Sequence, residues 1–73
     1  MAIETLKSEI TGTVWKILFE EGAVIEAEAE LMILESMKME IPVLASDAGT
    51  VSEIMVAEEE PVAEGQIVVV LDA

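Results

Sequence analysis

The chain holds few groups able to do chemistry. It has no His and no Cys, only three Lys and no Arg, and sixteen Asp or Glu, for a formal net charge of −13 at pH 7. Zinc sites built from His or Cys, disulfides, and acid–base catalysis by His are therefore excluded. The carboxylates leave a loose divalent-cation site open. The amine with a distinctive setting is Lys38, in the run Glu35-Ser36-Met37-Lys38-Met39-Glu40. An amine on a flexible four-carbon stem is an acylatable nucleophile once deprotonated. A lysine that forms Schiff bases needs an apolar pocket or a cationic neighbour. Lys38 instead has Glu35 and Glu40 nearby in sequence, and no base and orienter accompany it. Attachment of a group to Lys38 by an outside enzyme is better motivated than catalysis by the chain itself.

Such a lysine must be held where another protein can reach it. Short apolar runs and β-branched residues dominate the chain, which is 53% hydrophobic. Thr13–Phe19, Glu30–Leu34, Met39–Leu44, Thr50–Val56 and Gln66–Leu71 have the lengths of strands and fall short of ordinary helices. Glu20–Leu34 contains helix formers, but a strand near Val24–Ile25 followed by a turn fits better. Leu31–Leu34 and Met39–Val43 pair as a hairpin with Lys38 at or beside its turn, which projects the amine away from the body. Pro42 favours an edge position. Gly12, Gly22, Gly49 and Gly65 mark turns or bulges.

The two halves align at an offset of 37. Gly12-Thr13-Val14 is repeated as Gly49-Thr50-Val51, Ile17 as Ile54, Glu21 as Glu58 and Leu34 as Leu71. A half this small buries too few side chains to stand alone, so the halves share one core. The expected core is Val14, Ile17, Ile25, Leu31, Ile33, Val51, Ile54, Val62, Val68 and Val70. Trp15, one of two aromatics, is expected to be partly buried on a sheet face, with anchoring of a partner as its functional alternative.

A chain of 73 residues makes one domain at most. Nucleic acid and anionic membrane surfaces are excluded as partners by the scarcity of basic residues. A basic protein surface is the natural partner, its encounter speeded by the acidic charge. The longest apolar runs have five residues, where a spanning helix needs about 20. Met1–Glu9 has no long apolar core and does not read as a signal peptide, so the expected location is the cytoplasm.

The run around Lys38 resembles the attachment motif of biotinyl domains, the biotin carboxyl carriers of biotin-dependent carboxylases. The usual form has Ala before the first Met, where this chain has Ser36. The resemblance covers about residues 9–72. Gly12-Thr13-Val14 matches the opening strand, Glu21-Gly22 and Gly65-Gln66 match turns, and Ala45 and Gly49 match the loop into the second half. Departures lie at Glu28-Ala29 and Glu59-Glu60, where the family commonly has Gly-Gln and Gly-Asp, at Ala23, often Asp, and at Ser46, often Pro. Gly at the first two sites relieves a positive φ, so Glu there puts the turn geometry in question.

The resemblance implies an all-β fold. The expected form is a flattened barrel or sandwich of two four-stranded antiparallel sheets with pseudo-twofold symmetry (a barrel-sandwich hybrid), with the termini at one end and Lys38 at the other. It implies biotin joined by an amide to Lys38, with Met37 and Met39 as flanking recognition residues and Glu35, Ser36 and Glu40 as motif context. It implies three partners: a biotin protein ligase, a biotin carboxylase and a carboxyltransferase, with acetyl-CoA as the leading acceptor. The chain is then a non-catalytic carrier, a single domain over residues 1–73 that matches a free-standing minimal attachment protein or an excised carrier domain. No segment is spare for the thumb loop of some bacterial carriers. Two alternatives stand beside this reading. Lipoyl domains share the fold but more often have Asp before the Lys and Ala after it. A structural module would leave Lys38 unmodified.

Overall fold

The computed structural model describes residues 2–73, which form eight strands and no helix. They are β1 (Ile3–Lys7), β2 (Gly12–Ile17), β3 (Val24–Ile25), β4 (Glu30–Ser36), β5 (Met39–Leu44), β6 (Gly49–Ile54), β7 (Pro61–Val62) and β8 (Ile67–Asp72). Two four-stranded antiparallel sheets run in the orders β1-β8-β6-β3 and β5-β4-β2-β7. The expected helix-poor course of residues 20–34 is seen: Val24–Ile25 is a strand and a turn follows it. β1 was not among the segments read as strands. Its signal was the repeat itself, since Ile3–Lys7 shifted by 37 falls on Glu40–Leu44.

The expected partial barrel is corrected. The structure is a sandwich of two open sheets, and no ladder joins one sheet to the other among the described residues. Both prolines explain part of this. Pro42 lies in β5 and Pro61 in β7, the two edges of the second sheet. Proline has no N–H for a ladder and is confined to such edges. The chain also changes sheets through tight turns rather than curling strands. Between β3 and β4, Ala29 N–H donates to the Glu26 carbonyl and Glu28 is left-handed at φ 67°. Only isolated bonds cross the corner, such as Glu28 N–H to the Ala45 carbonyl at 2.9 Å.

Bulges decide which side chains face inward. In the β4–β5 ladder Glu30 faces Leu44 and Met32 faces Val43, so Leu31 is an extra residue. In the β1–β8 ladder Lys7 faces Ile67 and Leu6 faces Val69, so Val68 is extra. A bulge advances the alternation by one residue. Leu31 and Met32 are consequently both buried, as are Val68 and Val69. The core is therefore filled by Met32, Leu34, Val69 and Leu71 beside Val14, Ile25, Leu31, Val51, Val62 and Val68. Ile33 and Val70, expected inside, are only half-buried, and Ile17 and Ile54 pack at the core's margin. Burying a side chain of this size contributes about 1.5–3 kcal/mol.

The repeat is visible in the hydrogen bonds. Gly22 N–H donates to Val51 O and Glu59 N–H to Val14 O; Leu18 N–H donates to Leu31 O and Met55 N–H to Val68 O. The Glu21 carboxylate accepts from Ile54 N–H at 2.9 Å, and Glu58 from Ile17 N–H at 3.0 Å. Each pair is one contact made twice, with the halves exchanged. The same exchange sets the β4–β5 hairpin against the chain ends. Where Ser36 faces Met39, the other half has Ala73 and Ala2, whose amides and carbonyls bond reciprocally at 2.8 Å. β2 starts beside the hairpin and ends where Leu18 meets Leu31; Gly22 and Ala23 then bond to Val51 near the start of β6. Gly49 there abuts Asp72 and Ala73. Ala2 and Ala73 thus lie at the end opposite Lys38 in a body 36 × 18 × 18 Å in extent.

Candidate functional site

β4 and β5 are joined by a loop of two residues. Ser36 faces Met39 across the hairpin, with Met37 and Lys38 between them. Met37 has φ 51° and Lys38 φ 66°. Positive φ at both central positions is the signature of the type I′ turn, whose twist matches that of the flanking strands. Asn-Gly is the relaxed sequence for that turn. A left-handed residue with a side chain costs about 1–2 kcal/mol. The ladder of β4 and β5 over-determines the strained conformation and keeps it in place.

Lys38 is exposed at the tip, as its place in the motif suggested. Met37 is 92% exposed and Met39 63% exposed. Neither closes the end of the sandwich, so both are surface around the amine. Glu35 and Glu40 are exposed and stand directly opposite each other in the ladder, a like-charge pair that weakens the hairpin. Ser36 is half-buried, and its hydroxyl donates to the Thr11 carbonyl at 3.1 Å. The structure therefore brings all six residues of the run to one hairpin end.

Below the tip the body is pressed close. A Cβ on Gly12 would collide with the Glu35 carbonyl oxygen and lie 3.2 Å from Ser36 Cβ. Glycine at residue 12 thus lets β2 reach the base of the hairpin. Two participants were not read from the sequence. Thr11 Oγ1 accepts from Glu64 N–H at 3.1 Å, while the Thr11 carbonyl holds Ser36. Their only advance signal was the position of Thr11 beside Gly12, because Glu64 lies 53 residues away.

The remaining candidates sit elsewhere. Trp15 is 43% exposed at the bulge of β2, with Lys16 Nζ 5.9 Å from its ring centroid. Among the described residues no three carboxylates group to hold a metal ion, and no helix is long and apolar enough to cross a membrane. Lys38 thus presents an exposed primary amine on a two-residue turn, open to contact by another protein.

Residues 2–71 match the family described as Biotin-requiring enzyme, of the biotinyl/lipoyl type. The chain is 40% identical over 67 residues to the biotin/lipoyl attachment protein of Bacillus subtilis, covering 92% of each. It is also 40% identical over 68 residues to the biotinylated protein TB7.3 homolog of Mycobacterium leprae, covering 93% of this chain and 96% of that one. Among solved structures, the Kluyveromyces lactis urea carboxylase superposes with a TM-score of 0.92 at 35% identity, over 99% of this chain and 6% of the carboxylase.

Proposed function

From the premise that this chain belongs to the biotinyl/lipoyl attachment family, as a non-catalytic biotin carrier domain of the kind that serves biotin-dependent carboxylases, we propose that Lys38 is its attachment residue. Covalently held biotin is the hallmark cofactor of that family. One observation carries the assignment: Lys38 is the exposed amine at the tip of the two-residue turn between β4 and β5. The fit is chemical as well as steric. Lys38 Nζ attacks the activated carboxyl carbon of biotin in a ligase; the N–C bond forms as the bond to the activating group breaks, and the nitrogen gives up a proton. The amide removes one positive charge and adds a long neutral arm.

When bound, biotin supplies a ureido nitrogen that accepts and releases a carboxyl group. The chain's own part is positioning. The hairpin end presents Lys38 while Met37 and Met39 offer apolar contact around it. The sandwich behind it holds the turn in one conformation, and tethering raises the local concentration of the cofactor. Biotin protein ligase, biotin carboxylase and carboxyltransferase are the partners in this reading. The acceptor we favour is acetyl-CoA, and the location the cytoplasm. Similarity to pyruvate carboxylase of Bacillus subtilis and urea amidolyase of Saccharomyces cerevisiae supports the carrier role while leaving those acceptors as alternatives.

Intact mass and peptide mapping of protein from its native host test the assignment. One biotinyl amide on Lys38, absent from a Lys38→Arg variant that keeps the same circular dichroism, is expected. A lipoyl adduct, or an unmodified Lys38 beside an active ligase and adequate biotin, overturns it.

A further inference from the structure

Comparing the two ends of the molecule isolates what the carrier end has added. The fold makes the same corner twice. At the hairpin end it contains Thr11, Gly12, Glu35 and Ser36; at the terminal end the repeat places Ala48, Gly49, Asp72 and Ala73. Both corners have the close glycine, whose Cβ would meet the carbonyl oxygen of Glu35 in one and of Asp72 in the other. Only the hairpin corner has hydroxyls. Thr11 Oγ1 accepts from Glu64 N–H at 3.1 Å, and Ser36 Oγ donates to the Thr11 carbonyl at 3.1 Å. Alanine at residues 48 and 73 has no side-chain hydroxyl for either bond. The corner forms without them, so the pair of bonds is not a requirement of the fold.

The hairpin end is also where the chain needs restraint. It holds two left-handed residues with side chains and a directly opposed pair of carboxylates. Both features favour opening of the turn. We infer that Thr11, acting through Ser36, is a positioning residue of the carrier hairpin: it ties the strand before Lys38 to the turn at Glu64 and so keeps the tip in the conformation that an acylating enzyme docks on. The inference rests on the reading of Lys38 as the attachment residue.

The test is ligase kinetics with the full chain as varied substrate, in the presence of biotin and ATP. If only the closed turn is recognised, the apparent KM rises as the closed fraction falls. Thr11→Val and Ser36→Ala are each expected to raise the open fraction of the turn about two- to tenfold, the equivalent of one hydrogen bond, and to raise KM only as far as the closed fraction falls, with kcat unchanged. Thr11→Ser keeps the hydroxyl and restores the wild-type KM. The double variant falls short of the product of the single effects, because both bonds belong to one tether. A second readout is amide hydrogen exchange, which is expected to quicken across residues 36–39 but not at residues 72, 73 and 2. Unchanged exchange across residues 36–39 in both single variants, faster exchange at both ends alike, or a kcat that falls with KM unchanged, overturns the inference. Should the wild-type chain not be acylated at all, the attachment reading fails, and exchange alone still decides whether the tether restrains the hairpin.

Discussion

Each half of the molecule has two turns that need a left-handed residue, and each half supplies glycine to only one of them. Gly22 and Gly65 have φ 90° and 87°; their counterparts under the repeat, Glu59 and Glu28, have φ 72° and 67°. Glu59→Gly should therefore stabilise the fold. Relief of the left-handed side chain is worth about 1–2 kcal/mol, and the greater freedom of glycine in the unfolded chain takes back about 0.4–1 kcal/mol. The net is a gain of roughly 0.5–1 kcal/mol, or a rise in Tm of about 2–8 °C for a domain this small. The bond from residue 59 N–H to Val14 O survives the change, since it uses only backbone. Glu28→Gly should gain a similar amount, and the two should add because they share no partner. Thermal unfolding followed by circular dichroism, with urea midpoints at one ionic strength, measures both. Glu26→Gly is the control: it removes the same charge in the same turn, at a residue without positive φ. That variant should lose stability by roughly 0.4–1 kcal/mol. If Glu28→Gly and Glu26→Gly move the midpoint in the same direction, charge rather than backbone conformation governs these turns and the reasoning fails.

Gly12→Ala and Gly49→Ala both force a Cβ against a backbone carbonyl, so both should destabilise, by about 1–3 kcal/mol. Only Gly12→Ala should also slow biotinylation of the remaining folded protein, because only residue 12 touches the hairpin; ligase assays well below both melting temperatures distinguish the two. Glu21→Ala and Glu58→Ala each leave one strand N–H without its carboxylate partner, and equal losses of about 0.5–1.5 kcal/mol in urea titrations are expected from their equivalent places. With a formal charge of −13, the chain should meet basic partners in a salt-sensitive way. Carboxylation of the biotinylated carrier across an ionic-strength series should show a rising apparent KM, and a flat series would remove charge steering from the account.

Much of the molecule was legible because its signals are local or repeated. A lysine between two methionines, flanked by two short apolar runs, points to a hairpin with the amine at or beside its turn, and pairing of Ser36 with Met39 then shortens the loop to two residues. The offset of 37 specifies two equivalent halves, because residues with the same pattern meet the same surroundings. The need for left-handed backbone at Glu28 and Glu59 also showed in advance, through the glycines that the family places there. What the tertiary structure decided was everything set by pairing between distant strands. The bulges at Leu31 and Val68 arise in ladders, not in runs of sequence, and they turn Met32, Leu34, Val69 and Leu71 inward in place of Ile33 and Val70. Whether the sheets close depends on which strands become edges, and a proline's meaning follows from that placement. β1 exists because β8 offers it an edge to pair with. The tether of Thr11 to Ser36 and Glu64 joins residues 25 and 53 positions apart, a contact that only the folded corner creates.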